Sequence, residues 1–362
     1  MAKKLSTDLT LLAVTMALLG FGLLMVWSSS SALAQERYGS PYYFLVKQAI
    51  WALIGLAAMG AALRLDYRTL RRPGVVYSVM AVATLCLIVV LFLKPVNETH
   101  RWIRLGALSF QPAELAKLAI VLFLAYHIER RGDRMNELQT LFPALLLLGW
   151  FGFLIFIQPD LGTAFTLVLT GAVMLYVAGV RLRYFALLAI PATAVLYQAI
   201  MSVAWRRGRI LTFLDPWSDP RGAGYQMIQS LIALGTGGLT GVGLMEGRQK
   251  LFYLPYPYSD FIFAVIGEEL GMIGTLAVLL AFVVLLWRGL RAGWSAPDDF
   301  GRFLAAGLTL SIVLQAFINI SVTLGLLPTK GIPLPFISAG GSSLVFALIG
   351  IGLVANVSQH AD

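Results

Sequence analysis

Ten apolar segments, most of them long enough to cross a lipid bilayer, constrain the fold of this chain more than any other feature of its sequence. A transmembrane helix needs about 20 mostly apolar residues. Only 12% of the 362 residues are charged, against about 25% in soluble proteins. The sequence therefore predicts an all-α polytopic membrane protein with ten transmembrane helices, forming a single membrane domain over residues 1–362. The segments lie at about 9–31, 44–63, 75–93, 113–128, 141–157, 161–180, 183–204, 261–287, 303–326 and 341–357.

The basic residues set the predicted orientation of these helices. Alternate short connections are rich in arginine and lysine, and the positive-inside rule places them, with both termini, in the cytoplasm. The net charge of +9 therefore indicates an anionic membrane surface rather than nucleic acid as a partner. The residues concerned are Lys3, Lys4, Arg64, Arg68, Arg71, Arg72, Arg130, Arg131, Arg134, Arg181, Arg183, Arg288, Arg291 and Arg302.

Residues 205–260 depart from this charge pattern. They carry six basic residues yet fall on the opposite side, which the charge rule allows for a long loop. The sequence predicts a large extracytoplasmic loop between helices 7 and 8, with a short membrane-associated helix from Tyr225 to Leu234. A glycine-rich stretch from Gly235 to Gly247 follows, and it matches no phosphate-binding motif. A flexible hinge is the favoured interpretation of those glycines.

The stretch from Phe252 to Gly274 is the leading candidate for chemistry. An aromatic, proline-broken loop passes there into an apolar helix, and Asp260 stands at the junction. A carboxylate at a helix start is stabilised by the helix dipole, which predicts a lowered pKa for Asp260. A simple N-cap explains the same pattern about equally well. Glu268 and Glu269 lie deeper and are expected to hold helices together.

A second cluster surrounds the start of the fourth helix. Glu114 and Lys117 are three residues apart and share one helix face. A lysine just inside a membrane needs a partner or a ligand, so Lys117 is a candidate ligand for a phosphate, while Glu114 also fits a structural ion pair. Arg101 and Arg104 precede this helix and suit either phosphate binding or headgroup contact.

Two irregular segments complete the set of candidates. Asp160 precedes an apolar segment and is expected foremost to be a helix N-cap. The segment from Leu327 to Ser343 is rich in proline and glycine, carries Lys330, and ends in Ser342, a candidate cap of the last helix. Non-helical backbone at membrane depth is tolerated where it lines a cavity. The single cysteine and three separated histidines exclude a disulfide framework and a zinc site.

One carboxylate, several cations and irregular loops thus gather on one side of the membrane. This combination suits a lipid-linked phosphate substrate. A carboxylate can deprotonate an attacking hydroxyl, and lysine or arginine can hold a diphosphate and stabilise its leaving charge. The residues assigned here to substrate binding are Lys117, Arg101, Arg104, Glu114, Lys330 and Ser342, with Asp260 as the catalytic base and no protein metal site.

Four ordered motifs resemble the SEDS family of cell-wall polymerases, the group of FtsW and RodA. The motifs are Arg101-Trp102-Ile103 with Phe110 to Lys117, Gln158 to Ala164, Asp260 to Ala264 with Glu268-Glu269, and Pro333 to Phe336 with Gly340-Gly341-Ser342. The segments Gln249 to Pro255, Ile266 to Glu269 and Leu327 to Gly331 resemble the division members more than the elongation members. Two departures from the family pattern occur: Tyr258-Ser259 replace a common His-Thr, and Ala339 replaces a frequent tyrosine.

The resemblance implies a function. Family members carry ten helices in the bacterial cytoplasmic membrane and polymerise lipid II into peptidoglycan by inverting glycosyl transfer, releasing undecaprenyl diphosphate; their essential aspartate matches Asp260. They work with a class B penicillin-binding protein and, in division, with other divisome proteins. No cofactor is certain, and a divalent cation (Mg²⁺ or Mn²⁺) is compatible. The alternatives are a lipid II flippase, which needs polar residues through the membrane midplane, and an elongation-type polymerase.

Overall fold

A computed structural model describes residues 7–95, 99–105 and 108–360, which fold mainly into helices. Lys3 and Lys4, used above for the orientation, lie outside the described residues. The helices are α1 (Leu9–Tyr38), α2 (Tyr43–Arg64), α3 (Pro73–Phe92), α4 (Pro112–Arg131), α5 (Leu138–Ile157), α6 (Leu161–Val177), α7 (Leu182–Met201), α8 (Ala204–Leu214), α9 (Tyr225–Gly237), α10 (Ile262–Trp294), α11 (Asp299–Thr323) and α12 (Gly341–Ser358). A short hairpin of β1 (Ile103–Leu105) and β2 (Leu108–Phe110) precedes α4.

Ten of these helices coincide with the ten predicted apolar segments. Seven are long and apolar enough to cross a membrane by length and composition: α1, α2, α3, α5, α10, α11 and α12. Helices α6 and α7 are also apolar, but their apolar stretches are shorter. Helix α4 carries charged residues inside its sequence. The helix predicted at Tyr225 is confirmed as α9, whereas α8 has no counterpart among the predicted elements. The 205–260 segment is therefore largely structured.

Local sequence signals explain where several helices begin and end. Asp8 caps α1 by accepting a hydrogen bond from the Leu11 N–H, and Asp298 caps α11 through the Gly301 N–H. Pro73 and Pro112 occupy the first position of α3 and α4, where proline's missing N–H costs nothing. Gly39 ends α1 in the left-handed conformation (φ 70°), which glycine adopts without strain.

Helices α4, α11 and α12 form the centre of the bundle. Almost every side chain from Ala113 to Tyr126 is buried, and a helix that is buried all round lies in a core. Helix α4 packs against α3 and α11, while α12 packs against α2. The outer helices instead expose apolar side chains such as Phe92 and Ile190, as lipid-facing helices do.

The basic connections predicted to share one face do so. Arg288 at the end of α10 pairs with Asp8 at 2.7 Å, and Arg71 pairs with Glu129 at the end of α4 at 2.9 Å. The Tyr67 hydroxyl donates to Asp298 at 2.6 Å. These contacts tie the α2–α3 and α10–α11 connections, the end of α4 and the start of α1 into one layer of polar residues.

The glycine-rich stretch is an inserted backbone segment, so its interpretation as a flexible hinge is wrong. Helix α10 is broken at Gly271 (φ 64°, ψ −160°). The Val242 and Gly243 N–H groups donate to the carbonyls of Glu268 and Glu269, each at 3.0 Å. Residues 238–243 thus satisfy backbone groups that the break in α10 leaves open, and glycine is needed because the two backbones touch.

The two deep carboxylates hold this segment, in agreement with the role expected for them. Glu268 accepts hydrogen bonds from the Arg248 and Gln249 N–H groups at 2.8 and 3.1 Å. Glu269 pairs with Lys250 at 2.6 Å. Both carboxylates are buried and are satisfied by the chain itself, so neither lines an open path through the bundle.

Replacing Gly271 should destabilise the fold. Its backbone conformation is open almost only to glycine, and a Cβ there would overlap the Gly241 nitrogen and the Leu239 carbonyl oxygen. We expect Gly271→Ala to cost about 1–3 kcal/mol or more and to lower the melting temperature of the purified protein in detergent. Gly60→Ala is the matched control, because nothing lies within 4 Å of a Cβ at Gly60. Equal melting temperatures for both variants would contradict this account of the helix break.

Candidate active site

Asp260 lies just before α10 but does not cap it. The N-cap position is Phe261, and no side chain caps this helix, so the N-cap explanation of Asp260 is wrong. The peptide around Asp260 is instead fixed by the segment before α12. Ser338 Oγ donates to the Ser259 carbonyl at 2.5 Å, and the Ala339 N–H donates to the Tyr258 carbonyl at 2.9 Å. The carboxylate is therefore held without serving the helix.

Asn319 of α11 holds the same two segments together from below. Its Nδ2 donates to the Asp260 carbonyl at 2.8 Å and to the Ile332 carbonyl at 2.7 Å. Gly331 lies against the Asp260 carboxylate, close enough that a Cβ would sit 2.8 Å from Oδ2. The 330–332 backbone thus forms one wall beside Asp260, and a side chain at position 331 would force the carboxylate to move.

Cations from three separate parts of the chain act on Asp260 and its neighbours. Arg101 precedes the hairpin and Arg209 lies on α8, and both stabilise the charged form of Asp260 electrostatically. Lys330 feels the charges of Arg101, Arg209 and Asp160. The structure therefore assembles a carboxylate inside a ring of positive charge, from residues separated by up to about two hundred positions in sequence.

Burial sets the ionisation of Asp260. Desolvation raises its pKa to about 6, against the lowering effects of a hydrogen bond from Ser259 and of Arg101. The lowered pKa expected from a helix-start position is therefore wrong, because the carboxylate is removed from water and does not meet the helix N–H groups. A carboxylate with a pKa near 6 is ionised at neutral pH and still takes a proton readily.

Burial also shifts the pKa of Lys330, but in the opposite direction. Burial lowers the pKa of its ammonium to about 7, while Asp160 raises it and Arg209 and Arg101 lower it. Its aliphatic stem packs over Gly162 at the start of α6. A lysine in this state gains charge when an anion arrives, since the anion favours the protonated form.

Asp160 joins the cation cluster to α6. Its side chain caps α6 through the Thr163 N–H at 3.2 Å, which confirms the predicted N-cap. It also accepts from Gln111 Nε2 at 3.1 Å and lies 3.9 Å from Arg101. Arg101 in turn donates to the Gln158 and Pro159 carbonyls. One carboxylate thus fixes Arg101 near Asp260 while completing a helix start.

Glu114 and Lys117 form a separate, more deeply buried group. Lys117 Nζ lies 2.9 Å from Glu114 Oε2 and donates to Gln315 Oε1 at 2.5 Å. A cavity of about 30 Å³, room for about one water molecule, adjoins them between α4, α11 and α12. Gln315 Nε2 donates to the Pro333 carbonyl at 2.8 Å. The pair therefore supports the 330–333 segment through Gln315.

The structure does not bring the other two predicted binding residues into the ring of charge. Arg104 is exposed on β1, opposite Ser109 in the hairpin register. Ser342 is buried, and its Oγ accepts from the Gln111 N–H at 3.2 Å. It does not cap α12, because the N-cap is Gly340 without a side-chain bond. Ser342 instead ties the start of α12 to the start of α4.

Sequence reasoning missed Arg209, Asn319 and Gln315. Arg209 was one of many basic residues in a segment read as a surface loop. The two amides lie within an apolar helix, four residues apart on one face of α11, and about 6 Å of helix rise separates them. A pair of amides at that spacing in a transmembrane helix was the available signal.

The candidate site combines two carboxylates with several cations. Within residues 7–95, 99–105 and 108–360, no group of three or more His, Cys, Asp or Glu side chains lies together. The two carboxylates near the site, Asp160 and Asp260, share it with Arg101, Arg209 and Lys330. Positive charge is thus already supplied by side chains.

Fold and site together define a polytopic all-α membrane protein with a carboxylate set among cations at one end of its helix bundle. The FtsW/RodA/SpoVE family model, described as "Cell cycle protein", matches residues 9–362. The chain belongs to this family, which confirms the resemblance seen in the sequence.

Related proteins agree over nearly the whole length of the chain. The probable peptidoglycan glycosyltransferase FtsW of Geobacter sp. (strain M18) is 42% identical over 358 residues, covering 98% of this chain and 97% of that protein. Stage V sporulation protein E of Bacillus subtilis (strain 168) is 42% identical over 361 residues, covering 99% of each.

Two solved structures share the fold. One, described as "Structural coordination of polymerization and crosslinking by a peptidoglycan synthase complex", contains a chain with a TM-score of 0.81 and 30% identity, covering 99% of this chain and 100% of that one. The crystal structure of Thermus thermophilus RodA has a TM-score of 0.73 and 26% identity, covering 98% and 97%. The higher identity to proteins named FtsW agrees with the division-type motifs.

The ionisation of Lys330 provides a direct test of the cluster. Since Asp160 raises the pKa of Lys330 and Arg209 lowers it, Asp160→Asn should lower that pKa further and Arg209→Gln should raise it. Titration of ¹³C-methylated lysine by NMR, with Lys330→Arg to assign the signal, measures both shifts. Shifts of the same sign in the two variants would contradict the arrangement of charges described here.

Proposed function

We propose that this protein is a peptidoglycan glycosyltransferase that polymerises lipid II into glycan strands during septal cell-wall synthesis. The observation that carries the proposal is the partly buried Asp260 carboxylate, which lies in one charge cluster with Arg101, Arg209 and Lys330. This arrangement combines a proton acceptor with a site for a doubly charged leaving group. The names of the related FtsW proteins support the same activity.

The proposed reaction is a single inverting displacement. The acceptor's 4-hydroxyl attacks the anomeric carbon of the donor, and Asp260 takes the hydroxyl proton as the new C–O bond forms. The bond from the anomeric carbon to the diphosphate oxygen breaks, and its electron pair leaves with undecaprenyl diphosphate. Arg101, Arg209 and Lys330 stabilise that charge, and guanidinium groups suit phosphate oxygens because they donate two parallel hydrogen bonds.

Lys117 and Glu114 have a supporting, structural role in this proposal. The Lys117 ammonium is already bound by Glu114 and Gln315, and the adjoining cavity of about 30 Å³ is too small for a diphosphate. We assign the pair to holding Gln315 and, through it, the segment that carries Lys330. Direct contact of Lys117, Arg104 or Ser342 with substrate stays a prediction, as does a divalent cation, through which no step is derived.

The flippase alternative depended on polar side chains inside the apolar segments, and these do not line an open path. Glu268 and Glu269 were the main polar exception inside the apolar segments, and both are bound by backbone N–H groups, Lys250 and Ser28. The polar residues of the candidate site gather at one end of the bundle. A one-sided site fits an enzyme that works at one membrane face. An elongation-type role is disfavoured by the division-type motifs.

We further propose a class B penicillin-binding protein as partner, with other divisome proteins around it. The peptidoglycan synthase complex that shares this fold supports such an assembly. The enzyme would lie in the bacterial cytoplasmic membrane, with both termini in the cytoplasm and Asp260 at the external face. The arginine-rich layer opposite the candidate site supports that orientation.

Asp260→Asn should abolish polymerisation while leaving the protein folded. Asparagine keeps the size of the side chain but cannot accept the proton, and loss of a general base costs at least about 10²-fold in rate. Labelled lipid II, incubated with purified protein alone and with its penicillin-binding protein, whose transpeptidase is blocked, gives glycan products measurable on a gel. Asp219→Asn, an exposed change in the same external segment, is the control. Glycan made by a well-folded Asp260→Asn protein would refute the mechanism.

Reporter fusions test the proposed orientation. Fusions after Arg72 and Arg131 should report the cytoplasm, because both residues lie in the arginine-rich layer. A fusion inserted between 215 and 225 should report the external side, since this segment lies between α8 and α9 near the candidate site. A cytoplasmic signal from the 215–225 fusion would reverse the topology and place Asp260 on the wrong side for glycan synthesis.

A further inference from the structure

The most deeply buried ion pair in the described residues lies away from the candidate site. Lys250 Nζ and Glu269 Oε1 are 2.6 Å apart, with side chains 5% and 0% exposed. Ser28 of α1 donates to the Glu269 carboxylate at 2.7 Å and accepts from Lys250 at 3.0 Å. The Met245 N–H donates to the second carboxylate oxygen at 3.1 Å. Every charged atom of the pair is thus matched.

This cluster adds side-chain contacts between three parts of the chain, of which the glycine-rich segment and α10 are also joined by backbone hydrogen bonds. Ser28 belongs to α1, Met245 to the glycine-rich segment, Lys250 to the turns that follow it, and Glu269 to α10. The break at Gly271 leaves the first part of α10, residues 262–270, separated from the rest of that helix. The position of this part therefore depends on what holds it from the side.

The first part of α10 begins two residues after Asp260 and ends next to Glu269. A helix is stiff over this length, and Ile262 and Glu269 are about 10 Å apart along it at 1.5 Å per residue. A shift at Glu269 is therefore carried to Asp260. Rates are sensitive to such shifts, because a misplacement of about 1 Å in a reacting group can cost about 10²-fold.

An ion pair is a poor choice if the cluster serves stability alone. A buried pair is often no more stabilising than apolar side chains of the same volume. The ion pair instead provides a defined geometry. Its hydrogen bonds allow one arrangement of Lys250, Ser28 and Glu269, whereas apolar packing tolerates several arrangements. That property suits an element whose position matters more than its stability.

We propose that Lys250, Glu269 and Ser28 form a latch that positions Asp260 for the glycosyl transfer, an inference that rests on the proposed function. The latch fixes the first part of α10 against α1 and the inserted segment. Lys250 and Glu269 are positioning residues, since they touch neither Asp260 nor its cations. The latch acts on the rate of the chemical step and leaves substrate binding to the ring of cations.

The test uses full-length protein in lipid nanodiscs and two variants. The double variant Lys250→Met/Glu269→Gln leaves no unpaired buried charge, so it is expected to insert. Ser28→Ala removes only the bridging hydroxyl. Arg302→Met/Asp299→Asn is the matched control, an ion pair exposed at the opposite face. The readouts are kcat and KM for lipid II, and amide hydrogen exchange over residues 244–270.

We expect the double variant to lose at least about 10-fold in kcat with KM changed less than about twofold, because geometry is altered and binding is not. Ser28→Ala should lose about fivefold, the effect of one hydrogen bond of about 1 kcal/mol. Exchange should rise at residues 244–250 and 262–270 in both variants and stay unchanged in the control. A purely structural role predicts faster exchange with kcat unchanged.

Either unchanged exchange or unchanged kcat in an inserted variant would overturn the latch. If the double variant fails to insert, Ser28→Ala decides by the same two readouts. Failure of the proposed function is distinguished by the wild-type protein, which would then make no glycan. The exchange experiment would still report, without any activity, whether the pair holds the first part of α10.

Discussion

The cost of burying charge in an apolar surrounding governs this structure. An ionised group away from water is tolerated when it is paired and hydrogen-bonded. Lys250 with Glu269 and Lys117 with Glu114 meet that condition almost completely. Asp260 does not: it is partly buried, and although Arg101 and Arg209 favour its charged form, desolvation outweighs them and raises its pKa to about 6. The carboxylate with this raised pKa is the one that we propose as the general base.

The deep pairs and the reactive carboxylate are parts of one arrangement. Gln315 and Asn319 on α11 connect the Glu114–Lys117 pair, the 330–333 segment and the Asp260 peptide. The Lys250–Glu269 pair holds the other end of the short helix that follows Asp260. The paired charges inside the bundle therefore fix the backbone that carries the Asp260 carboxylate at one end of the membrane domain.

Hydropathy located the ten long helices because a helix that spans a membrane consists of consecutive, mostly apolar residues. The same signal could not find Arg209 or the Lys250 pair, because their partners are distant in sequence and their segment is not apolar. Asp260 could be singled out from its residue type and place, but the choice between base and N-cap needed the backbone. Helix α10 starts one residue later than a cap at Asp260 requires. Its pKa was misjudged for the same reason.

The two departures from the family pattern meet in space. Tyr258 and Ala339 are joined by a backbone hydrogen bond of 2.9 Å, and the Tyr258 ring stacks on Phe44 with centroids 4.4 Å apart. In this chain the aromatic ring therefore comes from the Asp260 side of the contact, while position 339 is small. Because the backbone bond needs neither side chain, the Asp260 peptide keeps its support.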